Sequence, residues 1–442
     1  MATIAATAEG HSDAAPGRRQ RLKDFGRSVT YQIAGLPIAV RALFTRSRTD
    51  PESAIRRAYA KRYWRPRSLA EATHLALAMV IWPFALIGLE VAFILRNGGP
   101  VARRFGRPIH RQLLDQLRLY LTAGVLPPWY YIFELHRDPD ADFARDFIYR
   151  WESKGGVMRL LKEGEREPSS QLSDKALFAE YCKRHHLATA PVFAVFRNGR
   201  TELRASASEI ATGLVVKPVF GRGGRGVERW DHYDHFYRSP QGHWFTKDEL
   251  FHRLQERSRS IPLLIQPRLV NHPALTALNN DALSTVRLVS CLNETGEPEL
   301  IGAAIRMAIG GNHTVDNLHA GGIAAAVDLD TGRLSRASNL GADSRLGWTD
   351  EHPDTGARIT GTRMPMWTEV REFALRCHRA FADRVIVGWD IAITPEGPVL
   401  VEGNGAPDLD IMQRFIRHGL MAARLGALLA FHLTDAGIPG AA

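Results

Sequence analysis

A glycine-rich segment between two apolar strand-forming runs limits what this chain can fold into. Residues 214–230 read LVVKPVFGRGGRGVERW. Four glycines fall within six positions: Gly221, Gly223, Gly224 and Gly226. The apolar residues on both sides predict two strands joined by the glycine loop. Because a strand and not a helix follows the loop, the segment is neither a Walker A loop nor a dinucleotide-binding fingerprint.

The composition of this loop favours phosphate binding. Glycines allow successive backbone N–H groups to turn toward an anion. Arg222 and Arg225 add guanidinium donors, and Lys217 on the preceding strand adds a compact positive charge. A flexible surface turn is the alternative. Only eight of the 57 basic residues are lysines, so a lysine beside this loop favours phosphate binding.

A second hairpin is predicted over residues 385–408, VIVGWDIAITPEGPVLVEGNGAPD. Two apolar strands flank a Pro-Glu-Gly turn, which is typical of antiparallel pairing. With a three-residue loop that pairs Thr394 with Pro398, the register puts Asp390 opposite Glu402. The two carboxylates are therefore expected on one face of the hairpin.

Asn404 lies two residues beyond Glu402 and is expected on the same face as Asp390 and Glu402. Directly opposite Cβ atoms in such a pair are about 5 Å apart. Two carboxylates and one amide are hard oxygen ligands, which suit Mg²⁺. Such residues could simply face solvent, but a glycine-flanked acid and amide after Val-Leu-Val favours a site for one or two magnesium ions.

Loop and hairpin, in this order, resemble the ATP-grasp superfamily. The similarity is greatest to its sugar-transfer-associated branch and more distant to the alpha-L-glutamate ligases, and it covers about residues 173–413. The resemblance implies an α+β ATP-grasp fold, in which two α+β subdomains clamp ATP. A mainly helical N-terminal region is expected before it.

The resemblance also implies places for further residues. Lys175 opens a helix that is similar to the start of the first lobe. Gln266, Arg268 and Leu269 lie where the family's hinge binds adenine through its backbone, although Glu is common at the position of Gln266. Arg287, Arg306 and Asn317 resemble the residues that face the transferring phosphoryl group. On the strand that carries Arg287, many relatives have Asp where this chain has Thr285.

The activity that the resemblance implies is an ATP-dependent ligase. It would activate a carboxylate as an acyl phosphate for attack by an amine or a thiol. The branch name points to surface or exopolysaccharide synthesis, with small-molecule or glycan-linked carboxylates and amines as substrates. Two alternatives stay open, a phosphotransferase acting on a sugar hydroxyl and a non-catalytic membrane-tethered ATP-binding scaffold.

The net charge of +10 does not indicate a nucleic-acid partner. Residues 1–71 contain 14 basic and six acidic residues, which accounts for +8 of that charge. No aromatic platform or nucleic-acid motif accompanies it. We expect a basic disordered tail over residues 1–50, a helical region over residues 51–160, and the catalytic domain over residues 165–435.

Residues 75–95 form an apolar run, LALAMVIWPFALIGLEVAFIL, that is long enough to cross a bilayer at about 31 Å as a straight helix. Pro83 should kink or break it. Basic residues on both flanks favour a re-entrant or surface-lying helix pair at an anionic membrane, and a buried helical hairpin is the alternative. Three isolated cysteines indicate a reducing, cytoplasmic setting for the folded part. The histidines show no zinc spacing, which argues against a metal role for them.

Overall fold

The computed structural model describes residues 18–42, 50–164, 171–221, 223–311, 316, 318, 321–343 and 347–440. Arg222 and Asn317, which the sequence predicts as site residues, lie outside the described residues.

The N-terminal part of the described chain is helical. Its helices are α1 (Arg18–Ala42), α2 (Pro51–Tyr63), α3 (Leu69–Phe105), α4 (Ile109–Ala123), α5 (Pro127–Ile132), α6 (Ala141–Arg145), α7 (Arg150–Glu152) and α8 (Met158–Gly164), with a π-helical turn at Ser153–Val157. Large aromatic side chains fill the core between them, among them Trp82, Phe93, Trp129 and Tyr130. This core is separate from those around the sheets.

Helix α1 lies inside the segment that the sequence predicts as a disordered tail over residues 1–50. That prediction is wrong for residues 18–42. The second half of the helix carries Leu36, Ile38 and Ala39, which are buried in the aromatic core. Burial of these apolar side chains offsets the conformational entropy lost on ordering the segment.

Residues 75–95 belong to one continuous helix, so the predicted break at Pro83 is absent. Ser68 caps α3 by accepting the Glu71 N–H at 3.1 Å, and Gly106, at φ 65°, ends it. Pro83 and Pro100 lie inside the helix. Packing of the opposite face on α1, α4 and α5 holds the helix together despite the lost hydrogen bonds. The middle of the apolar run is exposed, which excludes the buried hairpin.

A first sheet of seven strands follows. Its strands, in chain order, are β1 (Ala194–Arg197), β2 (Arg200–Leu203), β3 (Leu214–Pro218), β4 (Glu228–Tyr233), β5 (Phe236–Arg238), β6 (Trp244–Thr246) and β7 (Leu263–Pro267). Their order in the sheet is 2-1-7-3-4-5-6, and every neighbouring pair is antiparallel. The helices of this lobe are α9 (Lys175–Arg184), α10 (Ala207–Ile210) and α11 (Lys247–Ser258).

A second seven-stranded sheet is built from the C-terminal part. Its strands are β8 (Thr285–Leu292), β9 (Pro298–Met307), β10 (Ile323–Val327), β11 (Leu334–Ser338), β12 (Trp348–Thr349), β13 (Ile386–Thr394) and β14 (Gly397–Asn404). Their antiparallel order is 12-11-10-9-8-13-14. The remaining helices are a 3₁₀ turn (Pro273–Leu278), α12 (Trp367–Ala380), α13 (Leu409–Ile416) and α14 (Arg424–Asp435).

The two faces of the second sheet have different cover. Helix α12 packs on one face, and Phe178 of α9 joins the same core. On the other face, α13 and α14 pack together with Ile55 and Ala58 of α2. The helical N-terminal region therefore shares a core with this sheet. Two antiparallel sheets with helices, after a helical region, confirm the predicted α+β class.

Candidate functional site

A β-bulge positions the acidic hairpin of β13 and β14. Thr394 pairs with Gly397, so the strands are joined by a two-residue turn and the predicted three-residue loop is wrong. The register then shifts by one residue at Val401, which puts Asp390 opposite Glu402. Without this extra residue, the short turn would pair Asp390 with Val401 and turn Glu402 to the other face. The expected pair of carboxylates is therefore present, but through a different register.

Asn404 completes the face. It pairs with Gly388 and lies two residues from Glu402 on the same side of β14. Its Oδ1 accepts the Ala406 N–H at 3.1 Å, which orients the amide. Asp390 is buried, whereas the Glu402 side chain is 31% exposed. An open face of hard oxygen donors fits Mg²⁺, which binds through one or two carboxylates and keeps the rest of its shell for water and phosphate.

Two guanidinium groups hold Asp390. Arg287 lies directly opposite on β8, and both its Nε and its Nη2 donate to the carboxylate, the latter at 3.0 Å. Arg306 Nη2 lies 2.9 Å from Asp390 Oδ2. Burial by itself would raise the pKa of Asp390, but Arg287 and Arg306 outweigh it and hold the pKa below its ordinary value. The carboxylate is therefore ionised and carries two cations beside it.

A second acid stands behind Arg306. Thr285 donates to Asp316 Oδ2 through its hydroxyl at 2.6 Å and through its N–H at 2.7 Å. Arg306 Nε in turn donates to Thr285 Oγ1 at 3.1 Å. Burial is the main cause that raises the pKa of Asp316. Asp316 therefore lies beside both Thr285 and Arg306, although it is far from Thr285 in the sequence.

The glycine loop connects β3 and β4. Its glycines Gly223, Gly224 and Gly226 have φ of 72°, 70° and 72°, the left-handed conformation that other residues rarely adopt. A Cβ on Gly226 would also lie 3.1 Å from the Pro218 ring. Arg225 is exposed on the loop. The run of glycines is thus required by the backbone.

Two lysines lie between the loop and the hairpin. Lys175 Nζ donates to the Gly221 carbonyl at 2.8 Å and lies 3.8 Å from Glu402 Oε1. Lys217 on β3 is partly exposed. Desolvation by the surrounding protein, together with the charge of Lys175, lowers its pKa to about 8, while Glu402 acts in the opposite direction. The glycine loop and the acidic hairpin therefore lie on two sides of one site.

In the segment after β7, one backbone group that was predicted to bind adenine, the N–H of Arg268, has another partner. The Arg268 N–H donates to the Gly213 carbonyl at 2.7 Å, so it is already engaged and makes no adenine contact in this arrangement. The Arg268 guanidinium pairs with Asp231 and Asp281. Gln266 is buried, and its amide donates to a backbone carbonyl of the same lobe at 2.7 Å. Leu269 is the second residue after the strand.

Sequence reasoning missed a charged cluster just beyond the hairpin. Asp408 Oδ1 accepts from Arg150 Nη1 at 2.6 Å and from Lys154 Nζ at 2.5 Å. Burial would raise the pKa of Asp408, but these two cations lower it to about 2. Asp410 is buried beside it and has a raised pKa, chiefly because of burial. The acids follow Asn404 closely in the sequence, but Arg150 lies 258 positions from its partner, so no local pattern indicates the contact.

Within the described ranges, no group of three or more His, Cys, Asp or Glu side chains is arranged to hold a metal ion. The face of Asp390, Glu402 and Asn404 has two such residues and an amide.

The sequence of this chain matches the profile of a known family, the sugar-transfer associated ATP-grasp family, over residues 161–425. This is more than half of the 442 residues. No curated protein matches the chain.

Solved structures with a similar arrangement have little sequence identity to this chain. One is the ADP complex of purK, N5-carboxyaminoimidazole ribonucleotide synthetase (10% identity, TM-score 0.32, 54% of this chain and 46% of that one). Another is D-alanyl-alanine synthetase A from Vibrio cholerae (11%, 0.35, 60% and 65%). A third is D-alanine–D-alanine ligase from Bacillus anthracis in complex with ATP (13%, 0.37, 65% and 77%).

The chain thus covers about half to two thirds of the length of the first two of these structures. The family match includes both the glycine loop and the acidic hairpin, and the two sheets that carry them confirm the expected architecture. The chain belongs to the sugar-transfer associated ATP-grasp family.

Proposed function

We propose that this protein is an ATP-dependent ligase that activates a carboxylate as an acyl phosphate and passes the acyl group to an amine, or to a thiol. The observation that carries the proposal is the position of Lys175, which contacts the glycine loop at Gly221 and the acidic hairpin at Glu402. This position supports a phosphate-binding role for the loop and a metal-binding role for the hairpin at one site, as ATP activation requires. Membership of the ATP-grasp family supports the same activity.

The nucleotide would lie between the two sheets, with its phosphates under residues 221–226. Lys217 and Lys175 supply positive charge on the side of the first sheet, and Arg287 and Arg306 supply it on the side of the second. Asp390, Glu402 and Asn404 would hold one or two magnesium ions, whose chemistry is to neutralise charge on phosphate oxygens. Adenine would contact the backbone near Leu269.

The reaction needs no nucleophile from the protein. A substrate carboxylate oxygen attacks the γ-phosphorus of ATP, the bond to the β,γ-bridging oxygen breaks, and ADP leaves. The amine nitrogen then attacks the acyl carbon, the carbon–oxygen bond to phosphate breaks, and the amine loses a proton to solvent. The protein contributes alignment and preorganised positive charge, chiefly from Lys217, Arg287 and Arg306.

The metal face gives the first test. Glu402→Gln keeps the shape of the side chain but removes its charge, and we expect ATP turnover to fall by about a hundredfold or more. Asp390→Asn should have a similar effect on turnover, with some loss of stability because it unpairs Arg287 and Arg306. ADP release in the presence of Mg-ATP measures both.

Glu396→Gln is the matched control, because Glu396 is exposed in the turn of the same hairpin. It should retain full turnover and the thermal unfolding temperature of the unmodified protein. If Glu402→Gln is as active as Glu396→Gln, the metal assignment is wrong.

The reaction products distinguish the proposed ligase from the two alternatives, a phosphotransferase and a non-catalytic ATP-binding scaffold. A ligase releases ADP and inorganic phosphate together, whereas a phosphotransferase releases ADP and leaves the phosphoryl group on the acceptor. A scaffold that only binds ATP releases neither at any acceptor concentration. Measurement of ADP and phosphate in parallel with candidate acceptors therefore decides among them.

We further propose that the substrates are small-molecule or glycan-linked carboxylates and amines of surface-polysaccharide synthesis. The support is the sugar-transfer association of the family. Mass spectrometry of a glycan-precursor mixture after incubation with Mg-ATP tests the proposal. A new amide on a sugar-containing species agrees with it, and condensation of unrelated metabolites alone contradicts it.

A further inference from the structure

Helix α3 has an exposed face composed almost entirely of apolar side chains. Five side chains recur at the three- and four-residue spacing of one helical face and are more than half exposed: Val80 (68%), Phe84 (74%), Ile87 (63%), Val91 (52%) and Leu95 (80%). Helices on the surface of a folded domain normally present polar residues to water. An exposed apolar stripe of this length points to a nonaqueous partner.

Helix α4 returns beside α3 and carries a stripe of its own. Gln112 Nε2 donates to the Gly98 carbonyl at 3.0 Å, and Trp82 Nε1 donates to the Tyr120 hydroxyl at 3.0 Å, so the helices are antiparallel. Exposed leucines are spaced three and four residues apart along α4: Leu114 (57%), Leu117 (56%) and Leu121 (69%). We call the exposed apolar residues of α3 and α4 together the apolar platform.

Within the segment that forms the apolar platform, the exposed formal charges have one sign. Between residues 72 and 123 the acidic residues are Glu90 and Asp115, and neither is exposed. Asp115 is bound by Arg107. The same segment has exposed arginines where α3 leads into α4, and one more within the leucine stripe of α4: Arg96, Arg103, Arg104, Arg111 and Arg118. An apolar surface that is bordered by exposed arginines and no exposed acid of the same segment complements a bilayer that contains anionic lipids.

By length and composition α3 could cross a membrane, since an 18-residue window of it has a mean hydropathy of 2.2. Both ends of the stripe are attached to the same folded body, however. At one end Glu71 is bound by Arg62 at 3.3 Å and Arg159 at 3.1 Å. At the other, Arg96 Nη2 and Asn97 Nδ2 contact the loop at residues 342–343 of the second sheet. A spanning helix would have to separate these ends by the thickness of the bilayer.

We propose that the apolar platform inserts into one leaflet of an anionic bilayer, with α3 lying in the membrane plane, so that the ATP-grasp domain is held at the lipid surface. The buried face of α3, which includes Ala78, Trp82 and Phe93, remains packed on the helical core. Only the exposed stripe contacts lipid.

Vesicle flotation of the full chain tests the binding. The protein should float with phosphatidylcholine–phosphatidylglycerol vesicles and much less with phosphatidylcholine alone. Phe84→Glu with Ile87→Glu, and separately Leu117→Glu with Leu121→Glu, should each lower the partition coefficient by about tenfold or more. These side chains are exposed, so the thermal unfolding temperature should not change. Leu203→Glu with Ile261→Glu, two exposed apolar residues on the first sheet's lobe, is the matched control and should float normally.

The orientation has its own test. A nitroxide on Val80→Cys, Ile87→Cys or Leu95→Cys reports depth in the bilayer, and the three native cysteines are buried and so protected from the label. An in-plane helix gives similar depths at the three positions. A spanning helix gives depths that differ by up to about 22 Å between residues 80 and 95 and overturns the proposal.

Other results also overturn it. Equal flotation with neutral and anionic vesicles contradicts the charge complementarity. The wild-type protein could also bind neither kind of vesicle and form a dimer in solution. If Phe84→Glu with Ile87→Glu dissociates that dimer, a second copy of the chain covers the face. These outcomes are independent of ATP turnover, so they do not depend on the proposed ligase activity.

Discussion

At the scale of single residues, Lys217 shows how the site departs from ordinary surface chemistry. It is partly exposed on β3 beside the glycine loop, and desolvation by the surrounding protein, with the neighbouring charge of Lys175, lowers its pKa to about 8. A lysine in that state is partly neutral at mildly alkaline pH. Bound triphosphate would restore the charged form, because an adjacent anion favours the ammonium group.

The affinity for nucleotide should therefore depend on pH. The pKa of Lys217 is about 8 in the free protein and higher in the complex, so the affinity is constant below about pH 8 and falls as pH rises above it. The slope approaches tenfold per pH unit at most, since one proton is linked to binding. Isothermal titration of ATP between pH 7 and about pH 9.5 measures it.

Lys217→Arg is the control for this pH dependence, because a guanidinium stays charged throughout the range. Its affinity should be nearly independent of pH, whatever its absolute value. Lys217→Ala should bind ATP more weakly at pH 7. Unchanged affinity in Lys217→Ala would place the phosphates elsewhere.

At the scale of elements, α9 connects the first lobe to the metal hairpin. Its N-cap, Asp174, is buried and accepts the N–H groups of Ala176 and Leu177 at 2.9 and 3.0 Å. Its second oxygen accepts from Arg197 at 2.8 Å. Lys175 is the first residue of the helix, so the cap also fixes the position of the lysine that reaches Glu402.

Asp174→Ala should lower the free energy of unfolding by about 1–2 kcal/mol, because two helix N–H groups lose their acceptor. Denaturant unfolding followed by circular dichroism measures the change. Asp174→Asn is the control, since its carbonyl can still cap the helix. It loses only the ion pair with the half-exposed Arg197, which contributes less than about 1 kcal/mol. Equal losses in both variants would contradict the capping role.

The hairpins show how far local sequence predicts an element. Both were expected from apolar runs around turn residues, and both are present as β3–β4 and β13–β14. The predicted register of the second hairpin was wrong at the turn, because the turn has two residues and not three. A bulge at Val401 then restores the predicted pairing of Asp390 with Glu402. A bulge has no signature in a run such as Val-Leu-Val. It is selected by pairing with β13, which itself is paired on its other edge to β8.

At the scale of the whole molecule, the helical region and the second sheet share a buried core, so we expect them to unfold as one cooperative unit. Gln413 of α13 is fully buried; its Nε2 donates to the Ile148 carbonyl and its Oε1 accepts the Ile148 N–H, both at 2.8 Å. Its Oε1 also accepts the Leu420 N–H at 3.0 Å. One side chain thus satisfies the backbone of a segment that lies far away in sequence.

Gln413→Ala should lower the free energy of unfolding by about 3 kcal/mol or more, because three buried backbone groups lose their partners. Gln255→Ala removes a glutamine with a single, partly buried hydrogen bond to Thr201 and should cost about 1 kcal/mol or less. Chemical denaturation of both proteins measures the difference. Two separate unfolding transitions in the unmodified protein would contradict the single cooperative unit.

The sequence by itself determined the parts that depend on local chemistry. Four glycines among strand-forming residues, and an acid and an amide after an apolar strand, predict the two hairpins and their order along the chain, because these choices depend on neighbouring φ, ψ and side-chain alternation. The family and its α+β architecture follow from the same segments.

Only the tertiary structure decided the rest. It decided that Asp316 comes from a loop to stand behind Arg306, that Arg150 and Lys154 meet Asp408, and that the Arg268 N–H is occupied. It also decided that α3 stays continuous through Pro83 and exposes its apolar stripe. Each of these results from contacts between residues far apart in the chain, and the free energy of such contacts depends on packing that no local pattern contains.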